Sequence, residues 1–140
     1  MAKLIFVNLP VKDLARATQF YQNIGAGKNE TFSDETASCM VLSDIIHVML
    51  LTHDKFRQFT PKKIADATQT SEVLIALTAD SRADVDQIIT KASMAGGKAD
   101  PGLKQDLGFM YGRSFEDPDG HIWEVVWMDM GAAQTALAKD

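Results

Sequence analysis

FEDPDGHIWEVVW, residues 115–127, reads as two strands joined by a tight turn. In Asp-Pro-Asp-Gly, proline suits the first central position of a type I turn, and glycine tolerates the positive φ of a following bulge. Two registers are open. A two-residue turn sets Arg113 opposite Glu124, whereas a type I turn with Gly120 in a bulge sets Ser114 there, and the turn chemistry favours the second. Met110, Gly112 and Ser114 then share a face with Glu124, and Tyr111, Arg113 and Phe115 take the other. Glu124 stands among Ile122, Trp123, Val125 and Val126. A carboxylate buried in such a strand requires a salt bridge, a hydrogen bond, a metal or water.

The hairpin closes the second of two similar segments. LIFVNLPVKDLARATQFYQNIGAG, residues 4–27, passes from an apolar strand into an amphipathic helix and stops at Gly25 and Gly27. VLIALTADSRADVDQIITKASMAGG, residues 73–97, does the same and stops at Gly96 and Gly97. A shift of 68 positions lays Phe6 on Leu74, Leu9 on Leu77 and Phe20 on Ile88. Asp13 caps the first predicted helix, and Ser81 with Asp84 forms a capping-box pattern on the second. Short strands follow each helix, over 28–33, 37–43 and 45–52, then over 98–105, 109–116 and 121–128. Each half therefore reads β-α-β-β-β. This predicts an α+β protein of two such modules, with the helices on the outside. A single domain is expected over 1–130, with module one over 1–53, a connection over 54–71 and module two over 72–129. The tail, 131–140, is expected to add a helical turn or to fray. Because both strand faces are largely apolar, helices are expected on one side and a folded-over sheet on the other.

At 140 residues and 46% hydrophobic content the chain can bury a single core. Its formal charge of −5 carries scattered lysines and arginines with no basic block, so nucleic acid is not an expected partner. The apolar runs are too short to cross a bilayer, and MAKLIFVNLP is too short for a signal peptide. The single cysteine, Cys39, forms no internal disulfide and reads as a small buried residue, which points to a cytoplasmic setting.

The repeat and its closing FEDPDGHIWEVV resemble the vicinal oxygen chelate superfamily, which includes glyoxalase I, extradiol dioxygenases, and fosfomycin- and bleomycin-resistance proteins. LPVKDLARATQFYQNIG, residues 9–25, looks like its first-module signature. More closely, FVNLPVKDL and GFMYGRSFEDPDGHIWEV look like a bacterial branch of predicted lactoylglutathione lyases. The resemblance implies that the two modules form a cup-shaped, partly open mixed β-sheet, that the protein is a homodimer, and that a divalent metal is held by one residue from the first and last strand of each module. Those positions fall on Phe6, Leu50, Leu74 and Glu124. Only Glu124 bears a ligating atom, so no metal or other cofactor is expected. By strand parity His47, His53 and His121 point away from the cup.

The expected function is therefore binding of a small organic ligand in an apolar cup lined by Phe6, Asn8, Leu50, Leu74, Ser114 and Glu124. Glu124 is expected to bond to Asn8, Ser114 or water, or to accept a donor from the ligand. Two alternatives stand beside this reading: a metal-dependent lyase of the lactoylglutathione type, and a metal-free enzyme with Glu124 as the catalytic general base.

Overall fold

The structure, a computed structural model, describes residues 3–138; the ends of the predicted first module (1–2) and tail (139–140) lie outside the described residues. The first half folds as β1 (Ile5–Val11), α1 (Leu14–Asn23), β2 (Gly27–Asn29), β3 (Ala37–Val41) and β4 (Ile46–Thr52). A short α2 (His53–Arg57) begins the connection. The second half comprises β5 (Leu74–Thr78), α3 (Arg82–Met94), β6 (Lys98–Ala99), β7 (Gln105–Asp106), β8 (Met110–Glu116) and β9 (Ile122–Met128), followed by α4 (Met130–Leu137). Capping starts the helices as expected: Asp13 accepts from the Arg16 amide at 3.1 Å and Ser81 from that of Asp84 at 3.0 Å.

Two predicted strands are shorter than expected. Glu30–Phe32 wind into a 3-10 turn because the Asn29 side chain caps the Thr31 amide at 3.0 Å and Ser33 bonds back to the Asn29 carbonyl at 2.6 Å. After Ala99 the chain leaves the sheet at Asp100, whose φ is +54°, and Pro101 has no amide to continue the ladder.

The strands make two open sheets, ordered β1-β4-β3-β2 and β5-β9-β8-β6, with β7 also on β8. The β1–β4 and β5–β9 pairs are parallel and the others antiparallel. One core joins both halves. It takes Ala17, Phe20 and Tyr21 from α1, Val85, Ile89 and Ala92 from α3, and Leu9, Val48, Leu50, Phe115, Trp123 and Val125 from the sheets. The opposite faces are not both covered by a second layer. Leu4, Ile5 and Phe6 at the start of β1, and Val73 and Leu74 at the start of β5, are about half exposed. Among the described residues no helix is long and apolar enough to cross a membrane.

The two modules are bolted together by the Asp117–Gly120 turn. The Tyr21 hydroxyl donates to Asp117 Oδ2 at 2.5 Å and accepts from Trp123 Nε1 at 2.9 Å. Asp117 Oδ1 accepts from the amides of Asp119 and His121, each at 2.9 Å. The Lys12 amide donates to Asp119 Oδ1 at 2.8 Å. His121 does point away from the second sheet's open face, but it is no ordinary edge histidine. It is 2% exposed, with Nε2 at 2.8 Å from the Pro10 carbonyl and Nδ1 at 2.7 Å from Glu72. Both ring nitrogens face acceptors, an arrangement that favours the doubly protonated ring. Gly120 completes the turn at φ +90°, and a Cβ there would lie 2.7 Å from the Ala67 backbone, so only glycine lets the connection cross it.

Removing the tyrosine hydroxyl strands a buried carboxylate oxygen and the Trp123 N–H together. Tyr21→Phe is expected to cost about 2 kcal/mol in urea unfolding; a change near zero would show that the clamp contributes nothing.

The clamp also sets a pH dependence. Burial opposes the His121 charge, but Asp117, the Pro10 carbonyl and Glu72 outweigh it, and its pKa lies above the ordinary imidazole value. Burial likewise raises Asp117, against the pull of His121 and Tyr21. Both shifts are upward, so both contributions are lost as pH rises. The Asp117 contribution fades from about pH 3.9 upward, whereas that of His121 is complete below about pH 6.5 and fades through its raised folded-state value. The unfolding midpoint is therefore expected to fall as the buffer is moved upward from pH 6.5, with a shallower slope in His121→Asn. An identical slope in that variant would contradict the assignment.

Candidate functional site: a half-cup on the second sheet

Alternation on three neighbouring strands builds the site. β8 and β9 pair in the register that sets Ser114 opposite Glu124 and Gly112 opposite Val126. On the other side of β9, parallel β5 sets Leu74 beside Ile122 and Ala76 beside Glu124. Leu74, Met110, Gly112, Ser114, Ile122 and Glu124 thus face one cavity of about 310 Å³. Tyr111, Arg113 and Phe115 turn their side chains to the helix side. There Tyr111 and Arg113 bond to Asp86 of α3 at 2.7 and 2.9 Å, and Phe115 joins the core.

Residues 101–103 and Gln105 form the cavity's outer wall. The Asp100 amide donates to the Ser114 carbonyl at 2.8 Å, and the Gly102 amide to Ser114 Oγ at 3.0 Å. Arg113 grips Asp100 with two parallel hydrogen bonds, Nε at 3.0 Å and Nη2 at 2.6 Å. This fork holds the Asp100 carboxyl below its ordinary pKa and keeps the residue in its left-handed conformation. Leu103, 93% exposed, stands at the rim.

Glu124 is the charged group on this floor. It is half-buried, and among the described residues none pairs with its carboxylate. Ser114 stands directly opposite, but its Oγ accepts from the Gly102 amide and makes no hydrogen bond to Glu124, and Asn8 belongs to the other sheet, so neither expected partner is engaged. The carboxylate is left facing the cavity.

The structure does not bring together all six residues expected in the cup. Leu74, Ser114 and Glu124 share the cavity, whereas Phe6 and Asn8 are exposed on the first sheet. Leu50 is fully buried beneath α1, because parallel pairing sets it beside Leu9 on the core face. The repeat counterpart of the Ala76–Glu124 pair is Asn8–Met49, so Met49 stands where Leu50 was expected. That one-residue shift reverses the parity of β4 and moves His47 onto the open face. There it stacks on Phe6 with ring centroids 4.5 Å apart, and its Nδ1 is buried without a hydrogen-bond partner. In HVMLLT apolar residues occupy both parities, so alternation alone carried no signal for the choice. His53 begins α2 and faces a different cavity.

The corrected positions are Phe6, Met49, Leu74 and Glu124, which offer one carboxylate and one thioether. Structural and catalytic sites for divalent metals use three or four nitrogen, oxygen or thiolate ligands. Among the described residues no group of three His, Cys, Asp or Glu stands close enough to hold an ion. The residues present do not fit the metal that the resemblance implies.

Comparison with known proteins agrees with this architecture. The chain is similar in structure to hypothetical protein SA1046 from S. aureus, with a TM-score of 0.75 and 26% identity over 91% of this chain and 94% of that one. It is also similar to a glyoxalase/bleomycin resistance protein/dioxygenase family enzyme from Burkholderia phytofirmans PsJN, with a TM-score of 0.74 and 17% identity over 91% and 99% of the two chains. For the fosfomycin resistance protein FosX from Mesorhizobium loti the TM-score is 0.68, with 19% identity over 95% and 98%. Among curated proteins none matches. A family profile matches residues 3–125, and the chain therefore belongs to the glyoxalase/bleomycin resistance protein/dioxygenase superfamily.

Proposed function

We infer that this protein binds a small organic ligand in the half-cup of the second sheet without the help of a metal. The observation that carries the reading is Glu124: an unpaired carboxylate on the floor of a cavity whose lining is mainly apolar (Leu74, Pro101, Leu103, Met110, Ile122 and Val126), with Gln105, Arg113 and Ser114 as its other polar residues. Such a pocket selects an apolar body that presents an N–H or ammonium donor, because a charge-assisted hydrogen bond in a partly dry site is the strong interaction available. Arg113 holds the loop from behind, so the wall is in place before the ligand arrives. The donor set argues against the lyase reading, in which a metal supplies the electrophile. The fosfomycin resistance proteins FosX from Mesorhizobium loti and Listeria monocytogenes are 19% and 23% identical to this chain, a likeness of fold alone.

The half-exposed apolar starts of β1 and β5 support a homodimer as the working form, since patches of this kind mark association surfaces. Sedimentation equilibrium is expected to give a dimer that Phe6→Asp weakens; a monomer at all concentrations would remove this part of the reading.

The ligand reading is tested by screening amine-bearing aromatic fragments by amide NMR. Hits are expected to shift Gly112, Ser114 and Leu103, and to bind about tenfold more weakly to Glu124→Gln. A screen in which no fragment perturbs these residues, or in which hits ignore the substitution, would contradict it.

A further inference from the structure

A larger cavity, about 990 Å³, lies away from the half-cup, where the start of α1 meets the connection and the Pro118–Asp119 turn. Its charge is opposite to that of the molecule. Lys12, Arg16, Arg57, Lys62 and Lys63 all line it, five of the chain's 14 lysines and arginines in a protein of net charge −5. Only Arg57 has an ion-pair partner, Asp54 at 2.9 Å; the other four make no ion pair with any described residue. The two carboxylates in the lining are already engaged. Asp66 Oδ1 accepts from the Thr68 amide at 3.0 Å and the Thr68 hydroxyl at 2.6 Å, and Asp119 Oδ1 accepts from the Lys12 amide at 2.8 Å.

These cations are far apart in the chain and arrive from three elements: the β1–α1 junction, α2 and the connection. Like charges gathered in a concavity repel one another, and they focus a positive potential that a bound anion relieves. The walls are held in shape, because the Ala67–Thr68 backbone lies against Gly120 and the Asp66–Thr68 turn closes on itself. The volume is too large for a lone inorganic ion and falls within the range of small-molecule sites. The unpaired Arg16 fork, which can match paired oxygens, and three lysine point charges form a donor set that suits phosphoryl oxygens.

We propose that this cavity binds a small phosphorylated metabolite, of the phosphomonoester or pyrophosphate class, at a site separate from the half-cup. Its anionic end is assigned to the cations that make no ion pair, Lys12, Arg16, Lys62 and Lys63, and the remainder of the cavity is left for the body of the molecule. The two sites are independent, so the failure of one reading leaves the other standing.

The test is calorimetric titration of the full chain with inorganic pyrophosphate at low ionic strength, with citrate as a carboxylate of comparable charge. Lys62 and Lys63 are exposed on the connection, so Lys62→Ala/Lys63→Ala keeps the fold, which an unchanged melting curve verifies. Pyrophosphate is expected to bind, to bind at least about tenfold more weakly to the double variant and as salt is raised, and to bind Glu124→Gln as it does wild type. Absence of pyrophosphate binding, equal binding by the double variant, or citrate binding as tight as that of pyrophosphate would overturn the proposal.

Discussion

The Tyr21 hydroxyl is the contact on which the rest of this molecule depends. It lies between Asp117 and Trp123 and so fastens the helix of one module to the last hairpin of the other. Each half alone is a small sheet with one helix, too little to bury an adequate core. Joined, they place Phe20 and Tyr21 in T-shaped contact beside the stacked pair Phe115 and Trp123. The buried polar groups of the turn orient this apolar packing. Asp117 accepts three hydrogen bonds, and His121 spans from Pro10 in the first strand to Glu72 before β5. Asp-Pro-Asp-Gly-His is thus a fastening between modules as well as a turn within one of them.

The same fastening shapes both cavities. On one side, the bulge at Gly120 sets the register that brings Ser114 opposite Glu124 and aims the even-numbered residues of β9 at the half-cup. On the other side, Gly120 lets the Ala67–Thr68 backbone approach, which encloses the basic cavity under the connection. An apolar pocket with one carboxylate and a polar pocket rich in cations therefore lie on either side of a single hairpin.

Much of this was legible in the residues because local chemistry decided it. The 68-residue repeat, the caps at Asp13 and Ser81, and the type I turn with its bulge each follow from a few neighbouring side chains, and they yielded the two modules and the Ser114–Glu124 register. The face of β4 was not legible, because Val48 and Leu50 alternate with His47, Met49 and Leu51 and both sets are mostly apolar; only pairing with β1 settles it. The open starts of β1 and β5 were misread for a related reason, since apolar character does not say whether a cover comes from the same chain. The basic cavity was invisible for the opposite reason: its five cations are spread from residue 12 to residue 63, and only folding gathers them. Parity turns His121 away from the cup but carries no sign of its burial, because its partners, Glu72 and Pro10, lie 49 and 111 positions away.

The positions at which the family resemblance implies metal ligands hold Phe6, Met49, Leu74 and Glu124 in this chain. One carboxylate with a thioether does not retain a divalent ion against water. The direct measurement is metal content, by plasma mass spectrometry, of untagged protein purified without chelator and then dialysed against zinc, nickel, iron and manganese in turn. The account predicts far less than one equivalent of any metal per chain, unchanged by the dialysis. About one equivalent of a single metal, lost in Glu124→Ala, would contradict it and restore a metal-dependent reading of the half-cup.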